Sequence, residues 1–275
     1  MLNPVVDLAW WQANRRSSVQ ADVRWYLDGR SGREAYERGH LPGAIFVDLD
    51  EWLAAEASPE AGRHPLPSPE VFARGMAQLG IGNHDTVIAY DDAGGTVAAR
   101  LVWMLRATGH PAALLDGGIS AHTGPLQTTV THLPAATFTP TPWPAGRLAD
   151  IDAASDPANV VIDARDGARY RGEIEPIDAR AGHIPGARSL PCRENLAPDG
   201  TLLPVEELHR RFADAGVTAE TTAIAYCGSG VNACHALLAL EHAGLPPGRL
   251  YPGSWSQYSR APGRPVAIGP GDDGP

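Results

Sequence analysis

The 275-residue sequence predicts an α/β fold, and it predicts that fold twice. In the second half, residues 159–165 and 222–226 are short apolar runs typical of buried strands, whereas 205–216 and 231–244 carry helical patterns. A further strand is expected to begin at residue 249. Strands that alternate with helices predict a parallel sheet flanked by helices on both faces. In such a sheet, functional sites lie at the carboxyl ends of the strands.

The prediction of two copies comes from an internal repeat. Residues 86–118 match residues 222–254 at one constant offset without a gap, so that Asp91 falls opposite Cys227. A repeat of more than 100 residues is far longer than a solenoid unit and indicates two copies of one domain. Two shorter segments also match each other: GHLPGAIFVDLD, residues 39–50, and GHIPGARSLPCR, residues 182–193.

A stretch rich in threonine and proline separates the two copies. It lacks hydrophobic periodicity, and its prolines disfavour both a regular helix and a central strand. An extended linker is therefore expected. The predicted organisation is an N-terminal domain at 1–123, a linker at 124–147 and a C-terminal domain at 148–275.

Composition excludes several classes of function. The net charge of −10 argues against nucleic acid or an anionic membrane as a partner. No apolar run of about 18 residues predicts a transmembrane helix. The first residues place their basic side chains after the apolar ones, the reverse of a secretory signal, so a cytoplasmic location is expected. The basic residues are all arginine, which excludes lysine nucleophiles, pyridoxal-phosphate Schiff bases and lysine-containing phosphate loops.

The three cysteines are too few and too scattered for a disulfide framework, and no Cys-x-x-Cys pair occurs. No spacing of histidines, cysteines and carboxylates suggests a zinc site. We therefore predict neither a metal nor a cofactor. Cys234 lies within an apolar helical pattern and is expected to pack in the core, and Cys192 is expected to be an incidental thiol.

Cys227 is different, because it lies between a predicted strand and a predicted helix in the segment AIAYCGSGVNACHALLALEHAG. Glycines at 228 and 230 allow the backbone to turn tightly and to expose its N–H groups. The helix N-terminus adds a partial positive charge. Both effects favour an anion at the centre of the loop, so Cys227 is expected to be a thiolate nucleophile.

At these residues the sequence resembles the tandem-domain rhodanese-type sulfurtransferases, over about residues 20–260. The paired GHLPGA and GHIPGA motifs, the loop YCGSGV and the C-terminal PGSWSQY carry the resemblance. It implies two tandem rhodanese-like domains, of which the N-terminal one has lost its cysteine, in agreement with Asp91. It also implies an enzyme in which Cys227 takes a sulfur atom from a donor, becomes a persulfide and passes the sulfur to an acceptor.

The loop sequence bears on the donor. Relatives that prefer thiosulfate carry cationic residues in this loop, whereas those acting on 3-mercaptopyruvate carry a neutral Gly-Ser-Gly, which CGSGVN resembles. The resemblance implies 3-mercaptopyruvate as donor, with thiosulfate as the alternative, and Ser229 as the group that relays a proton to the departing enolate. Asn232 stands where threonine is commoner in the family, and this difference is expected to adjust activity modestly rather than abolish it. The predicted substrate-binding residues of the loop are Gly228, Gly230, Val231 and Asn232.

A carboxylate donor needs a cationic seat. The resemblance maps Arg169 onto the family's substrate-binding arginine, and Arg180, shortly before GHIPG, is the candidate for a second one. Arg165 is expected to pair with a neighbouring carboxylate. His40 and His183 are the equivalent histidines of the two GHxPGA motifs. Their presence in both copies, including the one without a cysteine, favours a structural role. His40 is a secondary candidate for proton relay.

Other functions remain open at this point. A phosphatase on the same fold needs Cys-x5-Arg, but the residue six positions after Cys227 is Ala233. A non-catalytic persulfide carrier is the alternative from another class, and it would not need the arginines or release pyruvate. The expected partners are a small-molecule donor and an acceptor such as cyanide or a thiol, for example that of glutathione or thioredoxin. A monomer or weak dimer is expected.

Overall fold

The computed structural model describes residues 2–271. These residues form two compact units, and each unit includes a short segment from the other half of the chain. The first unit combines the chain up to Ala55 with Leu66–Trp143 and Leu196–Leu202. The second combines Glu56–Pro65 and Pro144–Asn195 with the chain from Leu203 onward.

The first unit contains a five-stranded sheet. Its strands are β1 (Val5–Val6), β2 (Val19–Asp22), β3 (Ile45–Phe46), β4 (Val87–Tyr90) and β5 (Ala112–Leu115). They are all parallel, in the order β1-β5-β4-β2-β3. All four side chains of β4 and of β5 are buried, as expected for strands covered on both faces.

The second unit repeats this sheet with four parallel strands. They are β6 (Val161–Asp163), β7 (Arg188–Ser189), β8 (Ile224–Tyr226) and β9 (Arg249–Leu250). The order is β7-β6-β8-β9, the same as that of β3-β2-β4-β5 in the first unit. A single parallel bridge between Leu148 and Leu250 lies where β1 pairs with β5.

The helices pack against these sheets. In the first unit they are α1 (Leu8–Asn14), α2 (Gly32–Arg38), α3 (Pro69–Gln78) and α4 (Ala99–Ala107). In the second they are α5 (Gly167–Tyr170), α6 (Val205–Asp214), α7 (Val231–His242) and α8 (Ser254–Tyr258). The prediction of an α/β fold with two parallel sheets flanked by helices is confirmed.

The individual elements follow local sequence rules. Helix α6 buries Leu208 and Phe212, one turn apart, and exposes its charged face. Helix α7 buries nine of its twelve residues, which explains its nearly continuous apolar sequence. It ends at His242 because Gly244 takes a φ of +77°, a left-handed conformation that terminates a helix. The expected strand at residue 249 is only two residues long, since α8 follows closely.

The threonine- and proline-rich segment packs against the first unit. Gln127 forms an antiparallel bridge with His40, and the buried Phe138 contacts Phe72 and His110. Trp143 donates from Nε1 to the carbonyl of Pro67 at 2.8 Å. These contacts tie the segment to the first unit through residue 143.

The two exchanged segments occupy matching places in the repeat. Glu56–Pro65 follows the motif at 39–50, and Leu196–Leu202 follows the matching motif at 182–193, so both exchanged segments lie between the same two matched stretches of the repeat. Each half of the chain thus supplies one loop to the unit built by the other half. Over residues 2–271, no helix is both long and apolar enough to cross a membrane.

Candidate active site

Cys227 lies at the carboxyl end of β8, as predicted, with only 3% of its surface exposed. Its Sγ accepts a hydrogen bond from the backbone N–H of Gly230 at 3.1 Å. Gly230 has a φ of +81°, and a Cβ at this position would lie 2.7 Å from the carbonyl oxygen of Pro252. Glycine is therefore required to aim this N–H at the sulfur.

The segment before α8 fixes the backbone of the cysteine loop. Cys227 donates its N–H to Oγ of Ser254 at 3.1 Å, and the N–H groups of Trp255 and Ser256 donate to the carbonyls of Cys227 and Gly228, each at 2.9 Å. Ser254 has a φ of +52°, and it is the one non-glycine residue between 2 and 271 with a positive φ. Such a conformation is costly and is typically found at functional sites.

Two guanidinium groups lie against Gly228. A Cβ on this glycine would be 2.8 Å from Nη2 of Arg63 and 3.5 Å from Nη1 of Arg169. Arg169 therefore lies at the cysteine loop, where substrate binding stays a prediction for it, and Arg63 supplies a second cation. Any side chain at 228 would displace these groups, so the role of this glycine is steric.

Arg63 belongs to the exchanged segment Glu56–Pro65, which is anchored next to α8. Its backbone N–H donates to Oγ of Ser256 at 3.0 Å. The preceding Gly62 has a φ of +90°, and a Cβ there would lie 2.6 Å from the carbonyl oxygen of Gly253. The close approach of this backbone to the start of α8 is what brings Arg63 to the cysteine loop.

Two buried carboxylates hold the arginines. Asp178 pairs with Arg63 through Oδ1 and with Nη2 of Arg169 through Oδ2, the latter at 2.9 Å. Glu175 accepts from the same Nη2 at 2.6 Å. Burial raises the pKa of Asp178, although Arg63 opposes this shift. Burial also acts to raise the pKa of Glu175, but hydrogen bonds from Arg169 and from backbone N–H groups outweigh it and lower that pKa.

A serine–histidine pair connects the cysteine loop to the exchanged segment Glu56–Pro65. Oγ of Ser229 and Nδ1 of His64 are hydrogen-bonded at 2.8 Å, and Ser229 is buried. Ser229 is two residues from Cys227 and His64 directly follows Arg63. The pair can pass a proton to or from a group bound beside the sulfur, which is the role predicted for Ser229.

Arg180 does not share this environment. Its guanidinium donates to four backbone carbonyls near the C-terminus, those of Tyr258, Ser259, Ala261 and Arg264, at 2.7–3.4 Å. Its own carbonyl accepts from Nε1 of Trp255 at 2.8 Å. These contacts correct the expectation of a substrate-binding role, because the N–H donors that would bind a carboxylate are used to brace the C-terminal segment.

His40 and His183 make the same contacts in their respective units. The Nδ1 of each ring bonds to the carbonyl of a tyrosine, Tyr36 or Tyr170, at 2.8 Å, and each ring stacks on that tyrosine. His40 is fully buried in the first unit. This geometry argues against the secondary prediction of proton relay by His40 and supports a structural role for both histidines.

The remaining predicted residues have simpler surroundings. Val231 is buried at the start of α7, and Asn232 beside it is half-buried. Arg165 pairs with Asp163 as expected, with Nη2 and Oδ2 2.6 Å apart. Cys234 donates to the carbonyl of Gly230 at 3.3 Å. Burial, reinforced by negative charge at Cys227, raises the pKa of Cys192 to about 12, so Cys192 is a poor nucleophile.

Within the described part of the chain, no group of three or more histidines, cysteines and carboxylates could hold a metal ion. The groups that meet at the cysteine loop are the sulfur of Cys227, two guanidinium groups and a hydrogen-bonded serine–histidine pair.

The comparisons with known proteins decide the family. A model of the rhodanese-like domain matches residues 11–124 and again residues 148–261. The chain belongs to the rhodanese-like family. A protein of Pseudomonas aeruginosa named "Probable 3-mercaptopyruvate sulfurtransferase" is 42% identical over 263 residues, covering 90% of this chain and 91% of that protein.

Two further relatives extend the comparison. Thiosulfate/3-mercaptopyruvate sulfurtransferase 1 of Arabidopsis thaliana is 33% identical over 96% of this chain and 78% of its own length. The crystal structure of SseA from Escherichia coli, a 3-mercaptopyruvate sulfotransferase, is 32% identical, with a TM-score of 0.80 over 92% of this chain and 99% of that one. The prediction of a tandem rhodanese sulfurtransferase is confirmed.

Sequence reasoning missed Arg63, His64 and Asp178. The only signal for the first two is a basic pair in the glycine- and proline-rich stretch EAGRHPLP. Nothing in that stretch indicates that it folds with the second unit. Asp178 stands two residues before Arg180, in a segment whose sequence signal is its arginines rather than their counterions.

Proposed function

We propose that this sulfurtransferase takes sulfur from 3-mercaptopyruvate and passes it to a thiol acceptor through a Cys227 persulfide. The Cys227 thiolate attacks the substrate sulfur and forms an S–S bond. The C–S bond of the substrate breaks, and its electron pair leaves with carbon as the enolate of pyruvate. A proton converts this enolate to pyruvate. A second thiolate then attacks the outer sulfur and releases Cys227.

The seat for the donor is the pair of guanidinium groups at Gly228. Arg63 and Arg169 offer N–H donors on one side of the cysteine loop, and Arg169 is 13% exposed while Arg63 is 28% exposed. Guanidinium groups bind carboxylates through paired hydrogen bonds. They would hold the substrate carboxylate while its sulfur faces Cys227.

The observation that carries the choice of donor is the hydrogen bond between Ser229 and His64. A carbon leaving group needs a proton when its bond to sulfur breaks, whereas the sulfite released from thiosulfate needs none. A proton-transferring pair beside the nucleophile therefore favours 3-mercaptopyruvate over thiosulfate. The two arginines also favour an enzyme over a passive persulfide carrier, since a carrier has no need of a donor seat.

The acceptor is proposed only as a class. A thiol such as that of glutathione or of a thioredoxin can attack a persulfide, because the thiolate that leaves is the one stabilised by the loop N–H groups. The geometry of residues 2–271 does not favour one thiol over another.

The test measures pyruvate and bound sulfur separately. With 3-mercaptopyruvate and a dithiol acceptor, wild type should release pyruvate, and Cys227→Ser should release none above background. With donor alone, mass spectrometry should find one additional sulfur on Cys227. Ser229→Ala should lower kcat for 3-mercaptopyruvate by about a hundredfold or more and affect thiosulfate turnover less.

Cys234→Ala is the matched control, because it removes a buried thiol near the start of α7 without removing the nucleophile. Added sulfur on Cys192 or Cys234 would overturn the site. Efficient turnover of thiosulfate with little pyruvate release from 3-mercaptopyruvate would overturn the choice of donor.

A further inference from the structure

We propose that Asp178 is the residue that determines donor charge, so that the seat accepts donors with one negative charge and disfavours doubly charged thiosulfate. This inference rests on the proposed function and names a specificity residue within the same site.

Asp178 bridges the two cations with its two oxygens. Oδ1 pairs with Nη1 of Arg63, and Oδ2 lies 2.9 Å from Nη2 of Arg169. The carboxylate is only 2% exposed, and the N–H of Asp178 donates to Oε1 of Glu175 at 3.0 Å. The bridge is therefore built into the protein and does not depend on a bound substrate.

The charges of the seat cancel formally. Arg63 and Arg169 contribute two positive charges, and Asp178 and Glu175 contribute two negative ones. Arg165, which also contacts Glu175, is balanced by its own partner Asp163. The seat thus offers directed N–H donors at Gly228 without a net positive charge.

Such a seat distinguishes anions by their total charge. A carboxylate can take the free N–H donors of the arginines, but each further negative charge meets repulsion from the fixed Asp178 carboxylate at short range. Interactions between partly buried charges are little screened by solvent or salt. A fixed charge placed beside a like charge of the ligand gives specificity, because the repulsion disfavours the wrong ligand. Thiosulfate, with two charges, is the ligand rejected here.

The experiment compares donors in Asp178→Asn. The ratio of kcat/KM for thiosulfate to kcat/KM for 3-mercaptopyruvate should rise by about tenfold or more, chiefly because KM for thiosulfate falls. Loading of Cys227 by thiosulfate alone, followed by mass spectrometry, should increase in parallel. A merely structural role for Asp178 would lower both activities together and leave the ratio unchanged, which would overturn the proposal.

Glu173→Gln is the matched control. Glu173 lies in the same loop and changes the charge of the protein by the same amount, but it is exposed and pairs with the exposed Arg171. Its donor ratio should equal that of wild type. A ratio shifted as far as in Asp178→Asn would mean that overall charge, and not the bridge, sets the preference.

A wild-type measurement covers the case in which Asp178→Asn fails to fold. Pyruvate, with one charge, should inhibit the enzyme competitively at lower concentration than sulfate, with two. Tighter inhibition by sulfate would overturn the inference. Failure of wild type to release pyruvate would instead count against the proposed function, and direct binding of pyruvate and sulfate would still test the charge preference.

Discussion

The Asp91 loop and the Cys227 loop occupy the same place in the two units but are filled differently. In the first unit, the Asp91 carboxylate accepts four backbone hydrogen bonds, from Ala93 and Gly95 to Oδ1 and from Val97 and Ala98 to Oδ2, at 2.7–2.9 Å. In the second unit, the Cys227 sulfur accepts one from Gly230. In both units the loop thus forms a cradle of backbone N–H groups, and in the first unit the carboxylate of Asp91 fills it.

This comparison explains how a persulfide can be held. The outer sulfur of a persulfide extends about one bond beyond Sγ, toward the N–H groups equivalent to those that bond to Asp91. We expect the charge on that sulfur to be stabilised there, because backbone N–H groups at a helix N-terminus favour anions.

Placing the first unit's residue in the second is the most severe test of the comparison. Cys227→Asp should fold with a melting temperature close to that of wild type, since the same loop already accommodates an aspartate in the first unit. Sulfur transfer should fall by at least about a thousandfold, because the carboxylate cannot form a persulfide. Circular dichroism and pyruvate release measure the two effects. An unfolded Cys227→Asp protein beside a folded Cys227→Ser would show that the two cradles are not equivalent.

Replacing the Asp91 carboxylate should lower the stability of the protein rather than its activity. Asp91→Asn is expected to lower the free energy of unfolding by about 2–4 kcal/mol, because the amide nitrogen would face N–H donors in a buried site. Denaturant unfolding checks this value. Asp92→Asn is the matched control, since Asp92 accepts a hydrogen bond from Tyr26 at the surface and should change stability by less than about 1 kcal/mol. Equal losses in both variants would contradict the four-bond description.

The smallest expected difference in stability concerns a left-handed backbone position that occurs at the same place in both units. Gly118 has a φ of +55° where the second unit has Ser254 at +52°. Ser254→Gly should change stability by no more than about 1 kcal/mol, because relief of backbone strain offsets the loss of two hydrogen bonds, one accepted from the N–H of Cys227 and one donated to the carbonyl of Tyr251. Gly118→Ser should lose about 1–3 kcal/mol, since its Cβ would collide with the carbonyl of Asp91. Thermal unfolding of both variants gives the comparison, and a larger loss in Ser254→Gly would reverse it.

Much of this architecture could be predicted from periodicity and from the repeat. The apolar runs that became β8 and α7 are local patterns, and the constant offset identified Asp91 as the counterpart of Cys227. The glycines of the loop could also be assigned, because their conformations follow from a tight turn between a strand and a helix.

The donor seat could not be predicted in the same way. Arg63 and His64 reach the loop only because a segment distant in sequence packs beside α8, and no local pattern encodes that packing. Arg180 was chosen for its distance from a motif, yet its donors are used by backbone carbonyls that only the folded chain brings together. Proximity in sequence is therefore a poor guide to which arginines lie at the cysteine loop.

The exchanged segments make the two halves of the gene depend on each other. A chain beginning at residue 148 would encode Cys227, Ser229 and Arg169 but would lack Arg63 and His64, which the first half encodes. The first half would in turn lose Leu196, which lies against Gly94 in the Asp91 loop. Deleting either copy would therefore remove a loop from the other unit. This gives a physical reason to retain the copy without a cysteine, for the loop it contributes as well as for its own fold.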